Sequence, residues 1–403
     1  MSKLEELIKQ FCPSGVDYKT LGELGKFYGG LTGKSKGDFT DGNAAFITYK
    51  NVYSNPALDL HPSEKVRINE GEKQRTLKYG DVLFTGSSET PDECGFSSVV
   101  TEEPSEDLYL NSFCFIYRLN DLDKLIPEFC KHLFRSSNLR YQIGKTASGV
   151  TRFNVSKDKM AKVVIPVPPL EVQREIVCIL DNFTELTAEL TAELTARKKQ
   201  YEYYREKLIQ NNDNISVLLS DVAQYAKGRI STTQLTKNNY VGVDNLLQNK
   251  AGKKHSEHIP NEGSVIEFKN GDVLIGNIRP YLKKIWLADC EGGTNGDVLT
   301  IRIKDSKTII PRYLYHVLAS DDFFNYDTNN SKGAKMPRGD KDAVMRYSFS
   351  LPNLEKQKVV VSILDRFDSL CNDLSSGLPA EIEARQKQYE YYRDKLLTFK
   401  QLE

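Results

Sequence analysis

Three short stretches of this sequence carry residue types that could do chemistry, and each lacks a part that the chemistry requires. The run GGLTGKS at 29–35 resembles a phosphate-binding loop, but that pattern needs glycine where the chain has Tyr28. His255 and His258 have the spacing of metal ligands on a helix, yet they lie in a loop-like stretch without a third ligand, so an exposed pair is expected. VPPL at 167–170 lacks the polar and aromatic residues that flank Pro-Pro in an amino-methyltransferase motif. The sequence therefore predicts no catalytic site.

Two basic loops are better candidates for function. Residues 144–162 hold five Lys or Arg against one Asp, and residues 329–346 hold five against two acids. Both loops mix these cations with Gly, Ser, Thr and Asn, whose donors reach phosphates and base edges. One such loop alone is more simply a solvated surface. Because the two loops occupy equivalent places in an internal repeat, they predict contacts with nucleic acid.

Three further segments share this character, at 30–39, 226–234 and 278–284, and the last is taken together with the polar stretch 292–297. By contrast, residues 88–107 hold seven acids and no base, and this stretch is expected to face away from any phosphate backbone. The predicted DNA-contacting residues are Lys34, Lys36, Lys145, Ser148, Arg152, Asn154, Arg229, Thr232, Arg279, Tyr281, Lys283, Asn295, Lys332, Lys335 and Arg338.

These loops are carried by a chain that is a duplication. ARKKQYEYYREKLI (196–209) returns as ARQKQYEYYRDKLL (384–397) with 11 identities in 14 positions. LEVQREIVCILDNFTEL at 170–186 returns at 354–370, and IPEFCKHLFRS at 126–136 returns at 310–320, both at an offset of 184. An offset that is constant within a block and varies between blocks indicates two copies of one unit with different loops.

Each copy begins with short β-rich runs broken by Gly, Asn, Asp and Pro, and closes with a helix. An apolar stripe predicts the first helix from about Leu170 to Ile209, which is about 60 Å at about 1.5 Å per residue. In the second copy, Gly377 and Pro379 predict that one helix ends and another begins at the proline. The fold class is α+β: two globular units in pseudo-twofold tandem duplication, separated by two long antiparallel helices. The predicted boundaries are 1–167, 168–210, 211–352 and 353–403.

The first helix also contains TAEL twice in tandem, at 187–190 and 191–194. Four added residues lengthen a helix by about one turn, roughly 6 Å, without much change to its apolar face. We interpret the repeat as a spacer whose length sets a distance. The tyrosine-rich ends of the helices have two interpretations: aromatic packing between the helices, or a docking surface, since Tyr and Arg favour interface cores. The predicted partner-binding residues are Tyr201, Tyr203, Tyr204, Arg205, Tyr389, Tyr391, Tyr392 and Arg393.

Composition limits the remaining classes. The 403 residues carry 55 basic and 55 acidic side chains, so any nucleic-acid contact must use local surfaces. Seven dispersed cysteines without a CxxC argue against a disulfide framework and a zinc site, and fit a reducing cytoplasm. No leader and no run of about 18 apolar residues is present, so neither secretion nor a membrane is expected.

Two variable units, two near-identical helices, tandem TAEL and two copies of KQYEYYR closely resemble the DNA-specificity subunit of type I restriction-modification systems. The stretches 16–30 and 271–286 also look like parts of that family's target-recognition domains. The resemblance covers essentially the whole chain. It implies that each recognition domain reads one half of a split DNA sequence, and that the helices set the number of unread base pairs between the halves.

The resemblance also implies partners. Two adenine-N6 methyltransferase subunits, which carry S-adenosylmethionine and the catalytic residues, would dock on the helices, and two translocating endonuclease subunits can join them. The chain itself would bind double-stranded DNA without being an enzyme and without a cofactor of its own. Two other classes stay open: an interaction scaffold built on the helices that binds no DNA, and a self-sufficient methyltransferase, which would need a cofactor motif.

Overall fold

The computed structural model describes residues 3–210, 215–373 and 375–402. The chain divides into two compact units. Unit 1 comprises Met1–Ala188 together with Glu383–Glu403, and unit 2 comprises Glu189–Ile382. Each unit mixes helices with small, mostly antiparallel sheets around its own apolar core, as the α+β prediction requires.

Unit 1 is built on a four-stranded antiparallel sheet whose central strands are apolar and buried. Its strands, in spatial order, are Gly25–Gly29, Cys114–Leu119, Val82–Thr85 and Ser97–Val99. Three smaller sheets surround it: Asp17–Thr20 with Val164–Val167; Lys65–Val66, Ala44–Ile47 and Tyr109–Leu110; and Ala147–Ser148, Phe153–Val155 and Ser87–Ser88.

Short helices connect these strands, and polar residues cap several of them. Thr20 and Glu23 form a reciprocal capping box at the start of one helix, which fixes where the preceding strand ends. The α-helices of unit 1 before the first long helix are Lys3–Phe11, Leu21–Leu24, Tyr49–Ser54, Pro127–Leu133, Ser137–Gly144 and Lys157–Met160. Two 3-10 turns cover Lys36–Phe39 and Pro91–Glu93.

Unit 2 repeats this plan. Its four-stranded antiparallel sheet has the order Ala223–Tyr225, Val298–Ile303, Val273–Gly276 and Ile285–Leu287. A second four-stranded sheet contains Arg229–Ser231, Ser264–Phe268, Gly292–Thr294 and Tyr240–Val241, and Ile215–Leu218 pairs with Ser348–Leu351. Its shorter helices are Leu219–Val222, Pro311–Leu318, Asp321–Asn329 and Lys341–Met345, with 3-10 turns at Thr232–Gln234 and Pro280–Leu282.

The duplication extends to individual hydrogen bonds. Gln173 and Gln357 are both fully buried, and each makes three hydrogen bonds to backbone atoms of the segments before its helix. The bonded groups are Ile126 N–H, Lys124 O and Pro168 O for the first glutamine, and Ile310 N–H, Thr308 O and Pro352 O for the second. A buried amide that satisfies three backbone groups is costly to replace, so this clamp explains why the same residue occupies both places.

The first long helix covers Leu170–Ile209, as predicted. The second copy is interrupted: its helices are Leu354–Asn372 and Leu378–Leu396, so the predicted break is confirmed, with Pro379 in the first turn of the second helix. Gly377 packs over the end of the preceding helix, where an added Cβ would lie 2.5 Å from the carbonyl oxygen of Ser369. Any side chain at Gly377 would therefore clash with backbone that the break brings close.

Each unit contains the helix end of the other sequence copy. Residues 189–209, which end the first copy, pack in unit 2, where Tyr201 stacks on Phe367 at 5.9 Å. Residues 383–402, which end the second copy, pack in unit 1, where Tyr392 stacks on Phe183 at 5.3 Å. Both tyrosine rings pack in the apolar cores of these units, so the repeated tyrosine-rich ends complete both units.

All seven cysteines are free thiols. Among the residues that the structure describes, no cluster of His, Cys, Asp and Glu could hold a metal ion, and His255 and His258 are both exposed as predicted. No helix in the described ranges is long and apolar enough to cross a membrane.

Candidate nucleic-acid interface

In unit 1 a hairpin at 147–155, here called the basic hairpin, brings three of the predicted contact residues together. Ser148 lies opposite Asn154, and Asn154 lies opposite Ser87 of the next strand. Arg152, in the turn, donates from Nε and Nη2 to Ser87 Oγ at 3.2 and 3.0 Å. The turn projects into solvent, since Val150 is 92% exposed. The hairpin can therefore reach a bound polymer with Arg152 already oriented.

The three lysines predicted as DNA contacts in unit 1 differ in whether their ammonium groups are already paired within the unit. Lys34 is 6% exposed at its side chain and lies 2.5 Å from a Glu72 carboxylate oxygen, so its charge is already neutralised within the unit. That hydrogen bond, together with those from the N–H of Asn69 and the side chain of Gln74, lowers the pKa of Glu72 to about 2. Lys36 is exposed, and Lys145 is exposed with its ammonium 4.0 Å from the centre of the Tyr141 ring. Lys36 and Lys145 are thus free to meet phosphates, whereas Lys34 holds a loop.

In unit 2 two segments, 277–284 and 332–339, meet and carry six of the predicted contacts. The N–H of Arg279 donates to the carbonyl of Pro337 at 2.7 Å, and Ile278 forms a β-bridge with Arg338. Arg338 is 61% exposed at its side chain and lies 3.0 Å from Asp297 Oδ1. The same turn holds Asn295, which accepts from the N–H of Asp297 at 3.2 Å.

The backbone of these segments is strained in a way that marks functional loops. Arg279 and Lys283 adopt positive φ values of 55° and 50°, a backbone conformation that residues other than glycine rarely take. Asn249 and Lys250 also have positive φ values, and their N–H groups donate to the carbonyls of Leu282 and Lys283 at 2.9 and 2.8 Å. Lys283 Nζ lies 2.9 Å from Asp321. Tyr281 is 50% exposed, whereas Arg279 is half-buried and its Nε is buried without a hydrogen-bond partner among the described residues.

Two other candidates of unit 2, Arg229 and Thr232, lie outside these two segments. Arg229 lies on a different sheet, where it is exposed and donates to Ser264 Oγ at 2.8 Å. Thr232 is 5% exposed and its hydroxyl donates to the carbonyl of Gly263, so its side chain faces the interior instead of a ligand. Within the segment 332–339, Lys332 is exposed but lies 2.6 Å from Asp340, and Lys335 is exposed.

The tyrosine-rich helix ends separate into inner and outer faces. Tyr201 and Arg205 are 3% and 2% exposed, and Arg205 Nη1 donates to the carbonyl of Ala319 at 3.1 Å. Their side chains belong to the core of unit 2 and form no surface. Most of the other predicted partner residues are half-buried, namely Tyr204, Tyr389, Tyr392 and Arg393.

Two tyrosines of this set point outward, one from each copy. Tyr203 is 59% exposed and Tyr391 is 61% exposed. Each has a lysine ammonium at 5.8 Å from its ring centre, Lys207 in the first copy and Lys395 in the second. The two tyrosines thus lie in the same local sequence, have nearly the same exposure and have the same neighbouring cation, so each copy presents a matching exposed aromatic–cation site.

Sequence reasoning missed one feature of unit 1. The acidic stretch 88–107 was expected to face away from DNA, but Glu89 and Glu93 line one cleft together with Arg152 and Phe113. A strand pairing explains this, because Ser88 lies opposite Phe153 and brings the start of the acidic stretch beside the basic hairpin. The numbers of charged residues in each stretch do not indicate which strands pair. The only signal in the sequence was the serine pair before Glu89, a polar strand end.

Comparison with known proteins gives a consistent result. A family model described as the type I restriction modification DNA specificity domain matches twice, at residues 13–200 and 201–384. A type I restriction enzyme specificity subunit of Haemophilus influenzae is 34% identical over 305 residues, which are 70% of this chain and 75% of that protein. The EcoR124I/EcoR124II specificity subunit of Escherichia coli is 32% identical over 61% of this chain and 65% of that protein.

Solved structures share the fold. A chain from a structure concerned with complex assembly and conformational transition of the type I R-M system aligns with a TM-score of 0.64 at 16% identity, over 96% of this chain and 98% of that one. The S subunit of the type I restriction-modification system from M. genitalium aligns with a TM-score of 0.50 at 13% identity, over 95% and 96% of the two chains.

Proposed function

The chain belongs to the family of type I restriction-modification DNA specificity subunits, and we propose that it reads a split DNA sequence, with one half-site for each unit. The observation that carries this proposal is the duplication itself. Two units of the same plan expose different cationic and polar side chains from equivalent loops. Equal scaffolds with unequal loops are what two different half-sites require.

The equivalence of the two reading loops rests on a shared hydrogen bond. In unit 1 the N–H of Val155 donates to the carbonyl of Gly86 at 2.9 Å, and in unit 2 the N–H of Gly339 donates to the carbonyl of Asn277 at 3.1 Å. These bonds anchor the basic hairpin and the segment 332–339 to the same edge of each unit. Arg152 and Arg338 lie just before them on the exposed side. We infer that these arginines contact base edges, while Lys36, Lys145 and Lys335 anchor phosphates.

The helices supply the spacing and the docking sites of the proposed function. The division between the units falls inside the first TAEL unit, after Ala188, so the tandem repeat belongs to the stretch that joins them. We propose that its length sets the number of unread base pairs. Tyr203 and Tyr391, with their neighbouring lysines, are the proposed docking sites for two copies of an adenine methyltransferase subunit. That partner would carry S-adenosylmethionine and the chemistry, and this chain would be non-catalytic; endonuclease subunits can join the complex.

A map of methylated adenines tests this function. The gene is expressed with its neighbouring methyltransferase gene, and the map is repeated with one extra TAEL inserted after Leu194. The expected result is a split methylated motif whose gap grows while both half-sites stay unchanged. As a control, TAEL is inserted after Gly71, an exposed turn with open space around its Cα. This insertion should leave the gap as it was.

Two results would contradict the proposal. If methylation does not depend on this chain, and a gel shift at physiological salt with competitor DNA finds no specific binding, an interaction scaffold without DNA recognition is the better description. If the isolated chain binds S-adenosylmethionine and methylates DNA alone, it is a methyltransferase and the division of labour proposed here is wrong.

A further inference from the structure

The cleft beside the basic hairpin of unit 1 combines one guanidinium with two carboxylates. It has a volume of about 580 Å³ and is open to solvent. Arg152, Glu89, Glu93 and Phe113 contribute to its walls. Phe113 is 58% exposed, and the guanidinium carbon of Arg152 lies 5.5 Å from the centre of its ring. The cleft thus places an exposed apolar ring beside charged groups of both signs.

The charged groups of this cleft are held in place by neutral partners. Glu93 accepts hydrogen bonds from Ser88 Oγ and Thr90 Oγ1, both at 3.1 Å, and from the hydroxyl of Tyr53 at 3.3 Å. The bonds from Ser88 and Thr90 lower the pKa of Glu93, so it stays ionised at neutral pH. Arg152 is held by Ser87, and within the described part of the chain neither carboxylate forms an ion pair with it. The cleft therefore presents its positive and negative groups side by side without neutralising them.

The backbone under the cleft is fixed by two half-buried arginines. Arg140 donates to the carbonyls of Gly95, Asp92 and Cys94, and Arg135 donates to the carbonyl of Ser97. Burial lowers the pKa of each arginine to about 10, which leaves both charged at neutral pH. Such fixation reduces the entropy that the acidic loop would lose on binding a ligand.

The mixture of charges decides which ligand fits. Two carboxylates against one guanidinium repel a phosphate, so the cleft is not a backbone anchor. A base pair in the major groove is neutral and offers acceptors and donors next to each other. Guanine presents O6 and N7, for which arginine is the usual partner, and its paired cytosine presents the N4 amino group, for which a carboxylate is suited. An A·T pair also presents an amino group, on adenine, but it lacks the two adjacent acceptors that a guanidinium needs for a bidentate contact.

We propose that unit 1 reads one G·C base pair at this cleft, with Arg152 donating to guanine and Glu89 accepting from the cytosine amino group. Glu89 is assigned this role instead of Glu93 because Glu93 already accepts three hydrogen bonds. Glu89 is exposed, and the described part of the chain offers it no hydrogen bond or ion pair. This inference rests on the proposed function and adds to it a residue that determines specificity.

The test uses the complete complex of this chain with its methyltransferase partner. Glu89→Ala is compared with wild type and with Glu103→Ala, which removes the same charge from an exposed position of the same acidic stretch outside the cleft. The readouts are the methylated motif and competition binding to oligonucleotides that carry each of the four base pairs at every position of the half-site read by unit 1.

Glu89→Ala is expected to reduce discrimination at one G·C position by about tenfold, in one half-site only. Affinity for unrelated DNA should stay the same or rise in both variants, because each loses a negative charge. A residue that only supports the fold would lower all affinities together. The inference is overturned if Glu89→Ala keeps the wild-type motif, if Glu103→Ala changes it equally, or if no G·C pair is read in that half-site. Failure of the proposed function is distinguishable from failure of this inference, because in that case the wild-type complex itself would methylate no split motif.

Discussion

The imidazole Nε2 of His132 lies 2.7 Å from Oδ1 of Asp181 in the first long helix. A carboxylate only accepts hydrogen bonds, and burial lowers the pKa of His132, so the ring is neutral with its proton on Nε2. Nδ1 is then an acceptor, and the hydroxyl of Tyr389 donates a hydrogen bond to it, with 2.9 Å between the oxygen and Nδ1. His132 thus connects the start of the first copy's helix with the end of the second copy's helix inside unit 1.

This connection predicts an unequal effect of two equivalent substitutions. His316 repeats the contact with Asp365 at 2.8 Å, but its Nδ1 has no hydrogen-bond partner among the described residues. Tyr389→Phe should therefore destabilise the protein by about 1–2 kcal/mol, because it leaves Nδ1 of His132 buried and unpaired. Tyr201→Phe, the equivalent change in unit 2, breaks no bond to a histidine and should cost less. Urea unfolding of both variants measures the difference, and equal losses would show that the histidine contact contributes nothing.

A second prediction separates base reading from phosphate anchoring. Arg152→Ala should relax recognition in one half-site and Arg338→Ala in the other, each by about tenfold at the affected base pair. Lys36→Ala should instead weaken binding to all sequences alike and reduce the salt slope of binding by about one unit. Binding titrations at several salt concentrations, together with the methylated motif, distinguish these patterns. If Arg152→Ala behaves like Lys36→Ala, Arg152 is a phosphate contact.

The internal repeats and the helix-breaking residues made much of the fold predictable from the sequence. The stripe of leucines and tyrosines predicted Leu170–Ile209 as one helix, and Gly377 with Pro379 predicted the interruption of its second copy. These signals are local: a periodic apolar face continues a helix, and a residue without an N–H begins a new one. The buried Gln173 and Gln357 lay within recognisable repeats, although their role as backbone clamps appears only in three dimensions.

What the sequence could not provide was the pairing of distant segments. The two QYEYYR stretches are identical, so nothing in them says which unit each completes, and the structure places each with the other copy's unit. The sequence around Lys34 predicts a free cation, but in the structure its ammonium pairs with Glu72, which lies 38 residues further along the chain. Likewise, Glu89 joins Arg152 only because a serine strand pairs with the basic hairpin. Composition describes a loop's charge but not its neighbours.

A third prediction concerns the docking sites. Tyr203→Ala and Tyr391→Ala should each weaken the binding of one methyltransferase subunit without lowering the melting temperature, because both side chains are mostly exposed. Together they should remove both copies. Native mass spectrometry of the complex gives the stoichiometry directly. Tyr201→Ala is the control, since its ring is buried and its loss should lower stability. A double variant that still binds two subunits would remove these tyrosines from the interface.

Unit 2 contains a buried carboxyl group at the base of its reading loops. Asp327 is fully buried, neither of its oxygens has a hydrogen-bond partner in the described ranges, and burial raises its pKa to about 6. An added Cβ at Gly339 would lie 2.5 Å from Asp327 Oδ1 and 2.8 Å from Asn277 Oδ1, so two unpaired oxygens border the same small space. In the sequence repeat, Ile143 of unit 1 corresponds to Asp327 at the offset of 184.

This geometry makes the stability of unit 2 depend on pH through Asp327. Below about pH 4 the carboxyl is protonated in the folded and unfolded states, and it has no effect. As pH rises from about 4 to 6, the unfolded state loses its proton first, so folding is progressively disfavoured, by roughly 3 kcal/mol in total above pH 6. Asp327→Asn removes this penalty and can donate to Asn277. Urea unfolding should therefore show the variant more stable than wild type at pH 7.5 and nearly equal at pH 4, whereas a pH-independent difference would mean that Asp327 is not buried as a neutral acid.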